Sequence, residues 1–465
     1  MSRHIAVDLG ASGGRVAVGE VDDAGFRIKV VHRFPNGGVE RSKGLYWDVQ
    51  SIWSEVIKGV QMARELGGID SIGVNSWGVD YALLDENGGL IDGVRHYRDP
   101  RTDHMPEKVW ASVSRSEIFN RTGIQFMPIN TLYQLAAQAE EDRGALERAD
   151  SLLMVPDLFH YWLSGTQRVE STIASTSQLY DPRVRGWDRE LIQRMRLPER
   201  IFRQIVEPGT VIGRTLPKLD LGDCQVIAPA AHDTASAVAA VPAEGGDWAF
   251  ISCGTWALSG IEIKKPLITP DTERLNLTNE AGFGGTTRLL KNICGLWILQ
   301  ECRRAWGLDF ESMFRAAEAA RGNSIIDPDD PEFAKPNDNM PELVRRMAGR
   351  SGETVPESCG EITRCVLRSL ALRCATVLQE LEEVTGRTID RIHIVGGGSQ
   401  IPLLNQWIAD ASGRNLIAGP TEATLIGNLL VQAYGAGAIE LQSIRAHVRA
   451  TSEWKRFSPR TSSGS

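Results

Sequence analysis

The sequence has no Cys-x-x-Cys pair, no Gly-x-x-x-x-Gly-Lys-[Ser/Thr] string and no apolar run long enough for a membrane helix. Seven cysteines stand scattered at 224, 253, 294, 302, 359, 365 and 374. They lack the paired spacing of a zinc site, and an odd, sparse count fits reduced thiols better than a disulfide framework. Even the most apolar long window, 365–384, carries Arg368, Arg373, Glu380, Glu382 and Glu383, which excludes a membrane span. The opening apolar run is short and interrupted by Asp8, so it does not read as a signal peptide. Basic excess is also missing: 51 Lys+Arg face 59 Asp+Glu, a net charge of -8 that repels nucleic acid and anionic lipid. The expectation is a cytoplasmic protein with neither nucleic acid nor membrane as partner.

What is present is the composition of a water-soluble globular chain, 42% apolar and 24% charged, which argues against disorder or a coiled coil. Its 465 residues fit two or three domains at roughly 150 residues each. The start reads as a strand (5–9), a glycine turn (10–14), a second strand (15–21) and a third from Phe26. A strand after the glycine turn rules out the Rossmann and P-loop patterns, which both need a helix there. Asp48 reads as the N-cap of a helix with Ile52, Val56, Val60, Ala63 and Leu66 at helical spacing, ended by Gly67-Gly68. A strand is expected at 71–75 and a mostly helical stretch over 101–213. After a boundary near 242–246, the strand, turn, strand order returns at 248–263, a rough internal duplication. Helices are expected around 294–306, over 359–385 and from Pro402, with a strand at 391–395 entering Gly396-Gly397-Gly398.

Three constellations carry chemistry. In Asp8-Leu9-Gly10-Ala11-Ser12-Gly13-Gly14-Arg15 the glycines are expected to turn backbone N–H groups inward as an anion nest, with Asp8 placed to hold hydrated Mg2+ beside a phosphate. An ordinary hairpin turn is the competing explanation. Ser252-Cys253-Gly254-Thr255 repeats the arrangement, and Gly396 to Gly398 offer a bare backbone to a base or phosphate. His232-Asp233, where a strand meets a helix, puts a carboxylate where it can take a proton from an attacking hydroxyl, although Asp is also among the best helix caps. Asn75-Ser76-Trp77-Gly78-Val79-Asp80-Tyr81 combines an apolar wall, bare backbone and an acceptor, which suits a small polyol, while a strand with one buried Trp is the competing explanation. Asn292 and Gln300 are read on one helix, about 80° apart around its axis, facing one cleft.

Taken with Tyr97-Arg98-Asp99 and Leu290-Lys291-Asn292-Ile293-Cys294-Gly295-Leu296-Trp297, these strings resemble the FGGY family of carbohydrate kinases over residues from about 4 to 440. The His-Asp pair and the Lys-Asn-Ile-x-Gly-Leu-Trp string are most similar to the branch that acts on L-rhamnulose. The resemblance implies an α/β, actin-like and hexokinase-like (ribonuclease H-like) fold of two domains with a ligand cleft between them. It implies a domain at 1–243 binding sugar and phosphate and carrying the base, a nucleotide domain at 244–455 and a frayed tail at 456–465. The implied reaction moves the γ-phosphoryl of ATP, with Mg2+, to the 1-hydroxyl of L-rhamnulose. By matched positions Asp233 is the implied base. Gly78, His232 and Asn292 would contact sugar, and Ala11, Ser12, Gly13, Gly14, Arg15, Thr255, Gln300 and Gly398 would contact ATP. Gly13 and Cys253 depart from the polar residue and the second serine common at their places, while both keep the backbone donors. The alternatives are a kinase for another ketose, such as L-fuculose or xylulose, and a nucleotide-dependent switch of the actin and chaperone kind.

Overall fold

A computed structural model describes residues 1–335, 337 and 339–460, and the end of the expected frayed tail, 461–465, lies outside the described residues. The chain forms two compact units. The first comprises Met1–Pro242, Glu262–Leu289 and Ala423–Thr451, and the second Ala243–Ile261, Leu290–Glu422 and Ser452–Ser465. The division therefore does not follow a single cut of the chain, because two later segments pack with the first unit.

In the first unit Ile5, Ala6, Val7 and Leu9 are wholly buried and lie in the strand Ser2–Gly10, whose β-branched and apolar content suits the middle of a sheet. It pairs antiparallel with Gly13–Asp22, which pairs antiparallel with Gly25–Pro35. On its other side it pairs parallel with Ser71–Ser76, which pairs parallel with Gln225–Ile227, and Val211–Arg214 closes that edge. A three-strand meander continued by parallel strands is the ribonuclease H-like arrangement. The helix Val49–Arg64 begins where expected, with the Asp48 carboxylate accepting from Ser51 N, and it buries Ile52, Val56, Val60 and Ala63. The helix Ala423–Gly435 packs on the sheet through Leu425 and Leu429 against Ala6 and Ala17.

The second unit repeats the pattern. Trp248–Cys253 pairs antiparallel with Trp256–Ile263, with Thr287–Cys294 next in order, and parallel with Arg391–Val395, which pairs parallel with Asn415–Ala418. Residues 456 and 457, expected to fray, instead belong to the strand Lys455–Phe457, antiparallel to Asn415–Ala418. Two helices here, Cys359–Thr385 and Pro402–Ser412, lie where the sequence pattern puts them. All seven cysteines are free thiols. Among the described residues no helix is long and apolar enough to cross a membrane.

Candidate active site

Parallel strands end together, and α/β folds bind ligands at their carboxyl ends. In the first unit those ends bring Asp8, the turn after Gly10, Ser76 to Asp80, and His232-Asp233 to one place: Asp8 faces Asn75 in register, and Ser76 bridges to His232.

Asp233 opens the helix Asp233–Ala239, with His232 as its N-cap. Its Oδ1 accepts from Thr234 N at 2.5 Å and Thr234 Oγ1 at 3.2 Å, and it lies 3.4 Å from His232 Nε2. These contacts all fall on Oδ1 and none of them on Oδ2. Desolvation raises the Asp233 pKa above the usual carboxylate range; the neighbouring His232 pulls it back and the negative Asp8 adds to the rise. A carboxylate at a strand end with a raised pKa has the properties of a general base.

A second carboxylate fixes the backbone before it. Glu170, wholly buried, accepts from Ala231 N at 3.0 Å and from the Thr172 hydroxyl, and Thr172 Oγ1 in turn accepts from His232 N at 3.1 Å. The entry into the His232-Asp233 turn is thus tied down on consecutive peptide groups.

Asp8 is 2% exposed. Arg15 pairs with its Oδ2, and Asn75 Nδ2 donates to its Oδ1 at 2.7 Å. Behind Asn75 runs a chain of amides that sequence reasoning missed: Gln432 Nε2 donates to Asn428 Oδ1 at 2.6 Å, and Asn428 Nδ2 donates to Asn75 Oδ1 at 2.6 Å. The two amides sit four residues apart on an otherwise apolar helix, a pattern visible in the sequence.

The turn between the first two strands follows Gly10. No residue from Gly10 to Gly14 has a left-handed backbone, so a nest here would be of the turn kind and not the alternating right- and left-handed kind. Gly14 is required by packing: a Cβ there would lie 2.1 Å from the Phe34 ring. Ser12 is exposed, while Ala11, Gly13 and Arg15 are half-buried.

Beyond Ser76 the chain builds a buried aromatic cluster. Trp47 lies 4.0 Å from Trp77 and 4.0 Å from His96 between ring centroids. Asp80 ties them together: its Oδ2 accepts from Trp47 Nε1 at 2.6 Å, Trp77 Nε1 at 2.9 Å and Tyr97 N at 3.2 Å, and its Oδ1 from Gln134 Nε2 at 2.8 Å. Burial pushes Asp80 up to about 7 against the pull of these donors. Gly78 lies in this segment, where a Cβ would come 3.0 Å from Thr176. Next to it Val79 has φ 67°, a costly conformation for a β-branched residue, held by Thr176 Oγ1 accepting from its N–H at 3.0 Å and Thr131 Oγ1 donating to its carbonyl at 2.6 Å.

In the second unit Thr255 sits in the turn after Trp248–Cys253, and its Oγ1 lies 3.4 Å from Gln300 Oε1 and Nε2. Asn292 is corrected: it lies on the strand Thr287–Cys294, and only Gln300 is on the helix Trp297–Trp306, so the two share no helix face. The break falls at Gly295, where a Cβ would meet Ala257 N at 2.6 Å, and the helix starts after Leu296 N and Trp297 N donate to Gly254 O and Thr255 O. Gly398 follows Arg391–Val395 and is buried under Cys253, whose sulfur would meet its Cβ at 2.5 Å; the exposed glycine is Gly397.

Two family models match consecutive halves of the chain. The N-terminal domain of the FGGY family of carbohydrate kinases matches residues 4–239, and the C-terminal domain of that family matches residues 249–436. The chain is 42% identical over 462 residues to rhamnulokinase of Bacteroides thetaiotaomicron, covering 98% of this chain and 95% of the relative. It is 38% identical to rhamnulokinase of Bacillus subtilis, covering 98% and 95%. Among solved structures, ligand-bound xylulose kinase from Lactobacillus acidophilus superposes with a TM-score of 0.81 at 16% identity, over 99% of this chain and 94% of that one. Plasmodium falciparum glycerol kinase with ADP gives a TM-score of 0.78 at 14% identity, over 99% and 94%. The likeness of fold extends well beyond the likeness of sequence, and the twice-repeated meander with its strand-end carboxylates agrees with the matched models: the chain belongs to the FGGY family of carbohydrate kinases.

Proposed function

We propose that this chain transfers the γ-phosphoryl group of ATP to the 1-hydroxyl of L-rhamnulose, with Asp233 as general base. The observation that carries the chemistry is the Asp233 carboxylate at the strand ends, its Oδ1 occupied by local donors and its pKa raised. The choice of sugar rests on the relatives, which are named rhamnulokinase at about 40% identity over nearly the whole chain.

Oδ2 of Asp233 takes the hydroxyl proton as the sugar oxygen attacks the γ-phosphorus. The new O–P bond forms as the bond from phosphorus to the β,γ-bridging oxygen breaks, and ADP leaves. Gly78, His232 and Asn292 are assigned to the sugar. Ala11, Ser12, Gly13, Gly14 and Arg15 are assigned to the ATP phosphates, and Thr255, Gln300 and Gly398 to the nucleotide. The tight Gly78 contact with Thr176 and the neighbouring Asp80-bound indoles support a pocket for a compact polyol with an apolar side.

Asp8 suits Mg2+ held through water. Both its oxygens are engaged, by Arg15 and by Asn75, so it presents a fixed negative charge to a hydrated ion more readily than a bare coordination position. When bound with ATP, Mg2+ neutralises charge on the transferring phosphate.

The test is a coupled assay of ADP release with Mg-ATP across a panel of ketoses. L-Rhamnulose is expected to give the highest kcat/KM. A clear preference for L-fuculose or xylulose would reassign the sugar, and ADP release indifferent to every ketose would remove the kinase reading.

A further inference from the structure

Arg288 is among the largest side chains with no exposure at all, and it lies beside the base without belonging to any motif of the sequence. Its Nε donates to Ala281 O at 3.0 Å, its Nη2 lies 3.1 Å from His232 Nδ1 and 3.1 Å from Glu280 Oε2, and its Nη1 has no acceptor among the described residues. A guanidinium has five donors and no acceptor. In the contact with His232 it must therefore donate, and Nδ1 must offer its lone pair.

A proton on Nδ1 would compete with that N–H of Arg288, so the contact points to the form in which Nδ1 is bare. In that form the proton is on Nε2, which lies 3.4 Å from Asp233 Oδ1. Glu280 pulls the other way: its Oε2 stands 3.3 Å from the same Nδ1 and would draw a proton there if Arg288 were absent. In that case a lone pair on Nε2 would face a carboxylate oxygen.

We propose that Arg288 is a positioning residue for phosphoryl transfer: by donating to His232 Nδ1 it fixes the neutral Nε2–H tautomer, which orients Asp233 through Oδ1 and keeps Oδ2 for the sugar proton. The inference rests on the assignment of Asp233 as base. It adds a role for a strand residue 55 positions further along the chain, in the segment Glu262–Leu289 that packs with the first unit.

The tautomer can be read directly. In the full-length protein labelled with 15N-histidine, His232 is identified by the signals lost in His232→Asn. The expected nitrogen shifts show Nδ1 unprotonated and Nε2 protonated; an Nδ1–H or doubly protonated His232 in the wild type overturns the proposal, whatever the enzyme phosphorylates. Arg288→Met leaves Glu280 to claim Nδ1. In this variant the Nδ1–H form is expected, with kcat down by up to roughly 10²-fold, the cost of misplacing a reacting group, and an unchanged KM for ATP. Arg288→Lys, which donates from Nζ, is expected to restore the Nε2–H form and most of the turnover. An Arg288→Met enzyme with the wild-type tautomer and wild-type kcat also overturns the proposal. Because the wild-type tautomer is read without Arg288→Met, the test survives if that variant does not fold. A failed kinase reading would show separately, as a wild-type enzyme without ketose-dependent ADP release.

Discussion

Gly427 offers a severe test of how the base is held. It lies in the helix Ala423–Gly435 and faces the helix Asp233–Ala239, where a Cβ on residue 427 would sit 1.8 Å from the carbonyl oxygen of Ser236 and 2.6 Å from its carbon. The obstacle is backbone, so no side-chain rotation relieves it. Ordinary contact needs about 3.5 Å, and Gly427→Ala must therefore part the two helices by more than about 1 Å. The Asp233–Ala239 helix carries the proposed base at its first residue, three positions from Ser236. Displacement of a reacting group by about 1 Å costs on the order of 10²-fold in rate, and overpacking a core costs about 1–3 kcal/mol. Gly427→Ala should thus lose roughly 10²-fold in kcat with the ketose and melt at a lower temperature. Gly349→Ala is the control: it is exposed in the helix Met340–Arg350 and a Cβ there meets Val355 at an ordinary 3.4 Å, so it should raise stability by about 0.4–1 kcal/mol and leave kcat alone. A Gly427→Ala enzyme with normal melting would refute the close approach. Normal kcat with lowered melting would refute the link between this helix contact and the base.

Two further outcomes follow from the same geometry. Asn428→Leu strands the buried amides of Asn75 and Gln432, so denaturant titration should show a loss of about 1–3 kcal/mol for each group left unpaired, together with a fall in kcat as Asp8 loses its orientation. Asp233 must be ionised to act and its pKa is raised, so activity should fall as pH drops through a value above the ordinary carboxylate pKa of about 4; a pH–kcat/KM profile flat down to that value would contradict the desolvated base.

Much of this molecule was legible because its elements announce themselves locally. The Asp48 cap, the alternating strands around the glycine turns and the capped helix Cys359–Thr385 are set by neighbours a few residues apart. The misses came where distant chain decided the outcome. Asn292 joined a strand because its segment found strand partners and Gly295 had to pass close to Ala257, a constraint invisible in the local apolar spacing. Gly14 owes its identity to Phe34, which folds back from the third strand. Arg288 carried no motif at all, since its meaning depends on His232 and Glu280 arriving beside it. Asn428 and Gln432 are the exception: amides spaced i, i+4 on an apolar helix were a signal open to sequence reading.

The account turns on Asp233, and steady-state kinetics of Asp233→Asn measure it most directly. Asn keeps the side-chain volume and a carbonyl oxygen able to accept from Thr234, but it cannot take the hydroxyl proton. With Mg-ATP and L-rhamnulose, kcat is predicted to fall by roughly 10²- to 10⁴-fold, the range of general-base catalysis, while the melting temperature and the KM for ATP stay near wild type. A folded Asp233→Asn enzyme that turns over at the wild-type rate would contradict the assignment of the base.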